Sequence, residues 1–296
     1  MEISDLVTFS AVVRTGGITR AAAELNTVQS NVTQRVKALE AEIGVPLFER
    51  HSRGMTLTGA GRRLLHYAQR MAALSRGAVL AARDDGEPKG PLAIGSMETT
   101  AAVRLPALLA QFHRRFPAVR LSVRTSPTAD LVTAVLDGTL DGAFVAGPIE
   151  HADLEAETTF REELVLVTAR HWTSLADLRA GTPESGPTAL VFRAGCTYRQ
   201  KLEQVFTEFG WPSAVRFEFG TLDGMIGCVA ANMGITLLPR AVVERGDLKG
   251  EIRIHALKAS QSRVDTVFIQ RSGAHRYSAL QAFASCLRDN GQVIAA

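Results

Sequence analysis

The segment from Thr19 to Thr58 constrains the fold of this chain more than any other stretch. A short alanine-rich helix is predicted over Arg20–Leu25, a tight turn over Asn26-Thr27, and a longer helix from about Val28 to Ile43. Apolar residues recur in the longer helix at spacings of four, three and four, which predicts one buried face. That face comprises Val32, Val36, Leu39 and Ile43. Two helices joined in this way are typical of a helix-turn-helix, which sets its second helix in the major groove of DNA.

The opposite face of the longer helix carries amides and hydroxyls where a surface helix usually shows glutamates and lysines. Amides pair with adenine edges and hydroxyls reach bases or phosphates, while few acids are present to repel the DNA backbone. Such residues are also common at the beginning of any helix, so an ordinary polar surface is the alternative. The predicted DNA-binding residues are Gln29, Ser30, Asn31, Thr33, Gln34 and Lys37 on this helix, and Arg53 beyond it.

A short β-hairpin is predicted after Gly44. Its strands are expected at Val45–Phe48 and Met55–Thr58, and Gly54 allows the backbone angles of the turn between them. The tip is basic, which suits contact of Arg53 with phosphate or the minor groove, although a solvated surface turn explains it too. With the hairpin, residues 1–58 are predicted to form a winged helix-turn-helix.

Short polar residues are placed where three helices are expected to begin. Ser4 and Thr19 are the predicted N-caps of the first and second helices, and Thr58 caps a long helix from about Gly59 to Asp85. The long helix has an apolar repeat of 3.5 residues, as in a coiled coil. Residues 59–87 therefore predict a linker helix that dimerises, unless it packs on its own domain. The repeat comprises Leu64, Ala68, Met71, Ser75, Ala78 and Ala82.

The chain resembles the LysR-type transcriptional regulators over essentially its whole length. The matching blocks between Ala21 and Gly61 are AAAELN, QSNVTQRVKALEAEIGVPLFER and LTGAG. The resemblance implies that the positions of Gln29, Ser30, Thr33 and Gln34 face the major groove and that Arg53 lies in the wing. It also implies self-association, with a tetramer favoured over a dimer.

Two positions depart from the pattern of that family. Val28 stands where a serine often caps the DNA-contacting helix, so Thr27 is expected to take over the cap. Gln34 stands where many members carry arginine, so that contact to a base or phosphate is expected to differ.

The remainder of the chain, residues 88–296, predicts a two-lobed α/β domain that follows a hinge rich in Pro and Gly. Strands and helices alternate as βαβαβ from Leu92 to Val145, which calls for a parallel sheet with right-handed crossovers. Ligands bind such sheets beyond the carboxyl ends of the strands. The ends here are Ser96–Thr100, Thr125–Thr128 and Ala146–Pro148.

A second α/β unit is expected from about residue 163 to 265, and residues 266–296 are expected to return to the first lobe, residues 88–162. The strands of the second lobe are predicted at 164–168, 189–192 and 234–238, and its helices at 199–209 and 222–232. Two lobes joined by crossing strands form a hinged clamp of the periplasmic-binding-protein type. The effector domain of the LysR-type regulators resembles this clamp, and GITLLP at 234–239 matches its second lobe.

The cleft of this clamp is the expected effector site. Hydroxyls and free N–H groups at Thr99 and Thr100 could hold an anionic oxygen, and the resemblance implies an effector contact at Thr99. A small carboxylate fits best, but Glu98 and Arg193 could instead match a zwitterion or an amine. An N-cap role is the alternative for each threonine. The predicted effector-binding residues are Ser96, Thr99, Thr100, Ser126, Thr128, Gly147, Cys196, Thr197, Thr221 and Leu222.

Composition excludes several other classes of protein. No apolar run approaches the roughly 18 residues of a membrane span, and no basic segment precedes the first apolar residues, so a cytoplasmic protein is expected. The net charge is +3, with 11 Lys/Arg and 8 Asp/Glu in residues 1–85 and 22 of each in the rest. The excess of cations lies where DNA binding is predicted, although ordinary solvated arginines would give it too.

No catalytic or cofactor motif is found. Three cysteines at wide spacings fit neither a disulfide framework nor a zinc site, and the histidines lack metal-ligand spacing. Cys196 is placed at a helix start, where a thiol can become reactive, but no resolving cysteine is nearby. A ligand-responsive DNA-binding regulator without a cofactor is therefore favoured over an enzyme. The other alternative is a solute carrier whose N-terminal helices only oligomerise.

Overall fold

The computed structural model describes residues 1–51, 54–182, 186–212, 214–244, 250–273 and 277–291. The chain divides into two compact units. The N-terminal unit comprises residues 1–85 with the short segment 136–139, and the C-terminal unit comprises residues 86–135 and 140–296.

The N-terminal unit contains the predicted winged helix-turn-helix followed by one long helix. Its helices pack around a single apolar core that includes Phe9, Val36 and Leu47. Thr58 caps the long helix as predicted, since its hydroxyl accepts the Gly61 N–H at 3.0 Å. The elements are α1 Ile3–Thr15, α2 Ile18–Glu24, α3 Gln29–Ile43, β1 Phe48–His51, β2 Gly54–Leu57 and α4 Gly59–Ala82.

Two predicted helix starts are wrong. Glu2, not Ser4, occupies the N-cap of α1, because the Glu2 N–H bonds the Asp5 carboxylate at 3.0 Å and starts the helix two residues earlier. Gly17, not Thr19, precedes α2. At the other end of α3, Ile43 is 37% exposed and does not extend the buried face, because the helix runs past the core there.

The predicted seam of α4 is also shifted. Ala68 is buried and Leu64 half-buried in the core of the N-terminal unit, where α4 packs on α1, so these positions are used within the unit. The apolar residues that α4 leaves exposed follow the same repeat on a partly overlapping face, which keeps Met71 and Ala78 of the predicted seam. We call this face the α4 stripe; it comprises Tyr67, Met71, Leu74 and Ala78.

The C-terminal unit begins with the predicted βαβαβ arrangement. Strand β3 pairs in parallel with both β4 and β5, so that the carboxyl ends of these strands lie at one edge of the sheet. The elements of this first lobe are β3 Gly90–Ser96, α5 Glu98–Val103, α6 Leu105–Arg115, β4 Val119–Thr125, α7 Thr128–Leu136 and β5 Gly142–Ala146.

Two long antiparallel strands connect the first lobe to the second. Strand β6 (Leu154–Ala169) pairs with β11 (Arg263–Arg271), and β11 continues the first-lobe sheet through β5. Farther along, β6 pairs with β9 and β10 of the second lobe. The other elements are α8 Leu175–Gly181, β7 Ala189–Phe192, α9 Thr197–Glu208, β8 Arg216–Phe219, α10 Leu222–Ala230, β9 Thr236–Pro239, α11 Arg240–Val243, β10 Ile252–Ala256, α12 Ala259–Ser262 and α13 Ser278–Gly291.

Candidate DNA-reading face and effector cleft

The polar face of α3 lies open to solvent. Val32, Val36 and Leu39 on the opposite face are buried, which holds the helix in a fixed rotation on the core. We call the polar side the α3 polar face; Thr33 is half-buried in it and its other members are exposed. Those members are Gln29, Ser30, Asn31, Gln34 and Lys37. Arg53, predicted as a wing contact, lies outside the described residues.

The turn before α3 differs from the expected cap. Val28 occupies the N-cap and supplies no side-chain hydrogen bond. Thr27 does not cap the helix, because its hydroxyl accepts a hydrogen bond from Asn31 Nδ2 at 2.9 Å. One amide N–H of Asn31 is thereby used within the turn, while the side chains of Gln29 and Gln34 remain exposed.

Two acids fix α3 against its neighbours, and sequence reasoning had assigned neither this role. Glu40 accepts the backbone N–H groups of Leu47 and Phe48 at 2.8 and 3.2 Å, which ties the end of α3 to the start of the hairpin. Asp5 on α1 pairs with Arg35 at 3.1 Å. These contacts hold the helix at its middle and near its C-terminal end, so that its polar face keeps one orientation.

A cleft of about 180 Å³ opens in the C-terminal unit between the first and second lobes. On one side lie the ends of β3 and β4 with the starts of α5 and α7, and on the other lie the ends of β7 and β8 with the start of α9. We call this the effector cleft. It is lined by Met97, Glu98, Thr99, Thr125, Ser126, Pro127, Thr128, Asp130, Phe192, Arg193, Cys196, Tyr198, Phe219 and Gly220.

The structure brings four of the ten predicted effector-binding residues into this lining: Thr99, Ser126, Thr128 and Cys196. Ser96 is fully buried, and its hydroxyl bonds the Met97 carbonyl at 3.0 Å. Leu222 is buried in the apolar core of the second lobe. Gly147 lines a different, larger cavity beside the crossing strands. The predicted residues that do not line the effector cleft are Ser96, Thr100, Gly147, Thr197, Thr221 and Leu222.

Several lining residues were missed. Asp130 lies in the first turn of α7. It was missed because the cleft residues of this segment were predicted only from the strand end, Thr125–Thr128. Phe219 and Gly220 were missed because β8 was not predicted. Tyr198 lies two residues after Cys196 at the start of α9, but no pattern in the sequence indicates that its hydroxyl is buried at the cleft.

Buried hydroxyls without a hydrogen bond of regular geometry lie at the cleft. Thr99 and Tyr198 are each 2% exposed, and neither side-chain oxygen has a partner of regular geometry. The Tyr198 hydroxyl lies near Thr99 and near Thr266, whose hydroxyl is unpaired as well. Burial raises the pKa of Tyr198 far above its usual range, so it stays a neutral donor and acceptor. An unpaired buried polar group costs about 1–3 kcal/mol, which a ligand atom can recover.

Cys196 is not arranged as a nucleophile. Burial raises the pKa of its thiol, which outweighs the opposing effect of nearby backbone N–H groups at the start of α9. The thiolate is the reactive form, so a neutral buried thiol is unreactive. Within the described residues, Cys196, Cys228 and Cys286 form no disulfide bond. Within the described ranges no three His, Cys, Asp or Glu side chains are placed to hold a metal ion.

A helix-turn-helix with an exposed polar helix and a two-lobed clamp with a lined cleft together define a ligand-responsive DNA-binding regulator. Residues 3–62 match the family described as "Bacterial regulatory helix-turn-helix protein, lysR family", and residues 85–292 match the "LysR substrate binding domain". The chain belongs to the LysR family of transcriptional regulators and is not an enzyme.

Similar proteins cover the whole chain. The HTH-type transcriptional regulator GltR of Bacillus subtilis (strain 168) is 42% identical over 293 residues, which is 99% of this chain and 98% of that protein. The crystal structure of CbnR, a LysR family transcriptional regulator, superposes with a TM-score of 0.69 at 25% identity, covering 98% of this chain and 99% of CbnR. The crystal structure of full-length CbnR complexed with its target DNA superposes with a TM-score of 0.66, at the same identity and coverage. The predicted fold class is thereby confirmed. In the part of the chain that the structure describes, no helix is both long and apolar enough to cross a membrane.

Proposed function

We propose that this regulator acts in the cytoplasm as a homodimer or tetramer and contacts promoter DNA through the α3 polar face. The observation that carries this proposal is that α3 exposes a face of amides and hydroxyls while its opposite face is buried. Glu40 and Arg35 also anchor the helix to the neighbouring hairpin and to α1. Gln29, Ser30 and Thr33 are proposed to contact base edges, and Lys37 to contact phosphate. Gln34, Asn31 and the wing residue Arg53 complete the proposed interface.

Self-association is proposed to pair two such helices on a dyad-symmetric site. The α4 stripe exposes 59% of Tyr67, 40% of Met71 and 57% of Leu74 on one face of a 24-residue helix. An apolar stripe with a 3.5-residue repeat is buried when it packs against a second helix. Residues 1–58 are proposed as the DNA-binding part, 59–87 as the dimerisation helix and 88–296 as the effector domain.

The effector is proposed to be a small carboxylate or an amino-acid-like metabolite bound in the effector cleft. One backbone hydrogen bond, from Ala129 N–H to the Gly195 carbonyl at 3.4 Å, joins the two sides of that cleft. A ligand that contacts both sides favours the closed arrangement, and linkage requires that closure and binding favour each other. Closure is proposed to change the spacing of the DNA-binding parts in the oligomer.

The test is retardation of DNA from upstream of this gene by the full-length protein at several salt concentrations. Gln29→Ala is expected to relax base preference by about 1–3 kcal/mol at one position. Arg53→Ala is expected to weaken binding to all DNA sequences alike. It should also lower the slope of log affinity against log salt concentration by about 1. A carrier protein would show no sequence-dependent, salt-sensitive retardation. If both variants bound like the native protein, the assignment of the DNA-binding residues would be wrong.

A further inference from the structure

Three charged side chains of the effector cleft are divided between its two sides by sign. Glu98, half-buried, opens α5, and Asp130, exposed, lies in the first turn of α7; both belong to the first lobe. Arg193 follows β7 in the second lobe. The lining therefore presents two carboxylates on one side and one guanidinium on the other.

These charges are not neutralised by one another in the structure. Within the described residues, none of Glu98, Asp130 and Arg193 forms an ion pair. The Arg193 guanidinium instead covers the end of β8, since a methyl group built on Gly220 would lie 3.4 Å from its Nη2 atom. Charges of opposite sign facing a cavity from two sides favour a ligand that carries both signs.

The buried hydroxyls of Thr99 and Tyr198 place polar groups in the wall of the cavity. They lie close to each other without a hydrogen bond of regular geometry, so each can bond a ligand oxygen or N–H group. A cavity of about 180 Å³ suits a small metabolite.

We infer that the effector is a zwitterionic α-amino acid whose ammonium group lies between Glu98 and Asp130 and whose carboxylate binds Arg193. The inference rests on the proposed function, in which this cleft is the effector site. A dicarboxylate would meet two like charges in the first lobe, and a simple amine would leave Arg193 without a partner. An amino acid contacts both lobes through opposite ends and thus favours closure.

The experiment is isothermal titration of the full-length protein with the L-α-amino acids, each paired with its 2-oxo acid and its decarboxylated amine. We expect at least one amino acid to bind ten or more times tighter than both counterparts. Glu98→Gln and Asp130→Asn should weaken binding of the amino acid at least tenfold without weakening binding of its 2-oxo acid. Arg193→Met should weaken both. The controls are Glu150→Gln and Arg170→Met, at exposed residues outside the lining. They should change neither the affinity for the amino acid nor that for its 2-oxo acid.

Binding of a 2-oxo acid or an amine as tightly as the amino acid would overturn the inference, and so would a failure of every amino acid to bind. The same samples are then assayed for DNA retardation. If a 2-oxo acid binds and changes DNA occupancy, the proposed function stands and only the zwitterion assignment fails. If the native protein does not retard upstream DNA at all, the proposed function fails.

Discussion

Arg104 and Glu162 form a two-point ion pair, in which Arg104 Nε and Nη2 donate to the two Glu162 oxygens, each at 2.9 Å. The Glu162 side chain is only 3% exposed and that of Arg104 22%. The guanidinium also lies 5.6 Å from the centre of the Phe160 ring. The pair joins the α5–α6 junction of the first lobe to the crossing strand β6, and the charge of Glu162 contributes to the raised pKa of Tyr198.

Removing the cation should destabilise the effector domain strongly. Arg104→Met leaves the Glu162 carboxylate buried and unpaired, which costs about 3–5 kcal/mol. Urea unfolding followed by circular dichroism measures the loss. The double variant Arg104→Met/Glu162→Met should recover most of the stability, because no buried charge remains; a double variant as unstable as the single one would contradict the explanation.

The α4 stripe should govern self-association. Leu74→Glu places a charge in the middle of the stripe and is expected to weaken the dimer at least tenfold, because the charge would have to be desolvated on pairing. Analytical ultracentrifugation across a concentration series gives the dissociation constant. Arg83→Glu, at the C-cap of the same helix and off the stripe, is the control. Unchanged association of the Leu74 variant would remove α4 from the interface.

The stability of the second lobe should fall in mild acid because of His255. This histidine is buried, and its Nε2 lies 2.9 Å from the Thr168 hydroxyl. Burial, with a smaller effect of Arg253, lowers its pKa below the ordinary 6.5. Protonation therefore favours the unfolded state, so its stabilising contribution is complete above pH 6.5 and is lost as the pH falls toward the folded pKa.

Unfolding free energies measured on both sides of that pH test this prediction. His255→Gln cannot titrate and should show a shallower loss of stability than the native protein, whereas His113→Gln, an exposed site, should keep the native slope. Equal slopes in all three proteins would rule out His255 as the titrating group.

Gly195 should matter for ligand binding beyond its effect on the backbone. Its φ of +88° lies in the left-handed region, and a methyl group there would lie 3.1 Å from Ala129 Cβ across the cleft. Gly210 has the same φ but nothing within 4 Å, so Gly210→Ala is a matched control. Both variants should lose about 1–2 kcal/mol of stability.

Only Gly195→Ala should also weaken binding of the effector, because it separates the two sides of the cleft. Titration of the two variants with the same ligand makes the comparison. If both bound it with equal affinity, contact between Ala129 and Gly195 would have no part in closure.

The helical part of the fold follows from the sequence more closely than the sheets do. Helix α3 is predictable because its apolar repeat, Val32, Val36 and Leu39, is buried in the core of the N-terminal unit. Strand β8, however, is exposed on both faces, so Arg216-Phe217-Glu218 shows no buried side. Strand β6 runs for 16 residues, but its first half is mostly polar and exposed, and only the buried part from Leu164 was predicted.

The cleft residues were only partly predictable for a related reason. Strand ends locate the first lobe's contribution, as at Thr99 and Ser126. A pattern in the sequence does not state which side of a strand end faces the opposite lobe, which is why Thr100 and Gly147 were predicted although they do not line the cleft. Likewise, the repeat on α4 gives the period of its apolar faces but not which of two neighbouring faces packs on α1.

The most direct test of the account is the base preference of the α3 polar face. The full-length protein, Gln29→Ala and the control Ala41→Ser, at an exposed position near the end of the same helix, are compared by fluorescence anisotropy on the upstream site and its single-base variants. Gln29→Ala should lose about 1–3 kcal/mol of discrimination at one symmetric pair of bases, with the control unchanged. Full retention of native discrimination by Gln29→Ala would contradict the claim that this face contacts the bases.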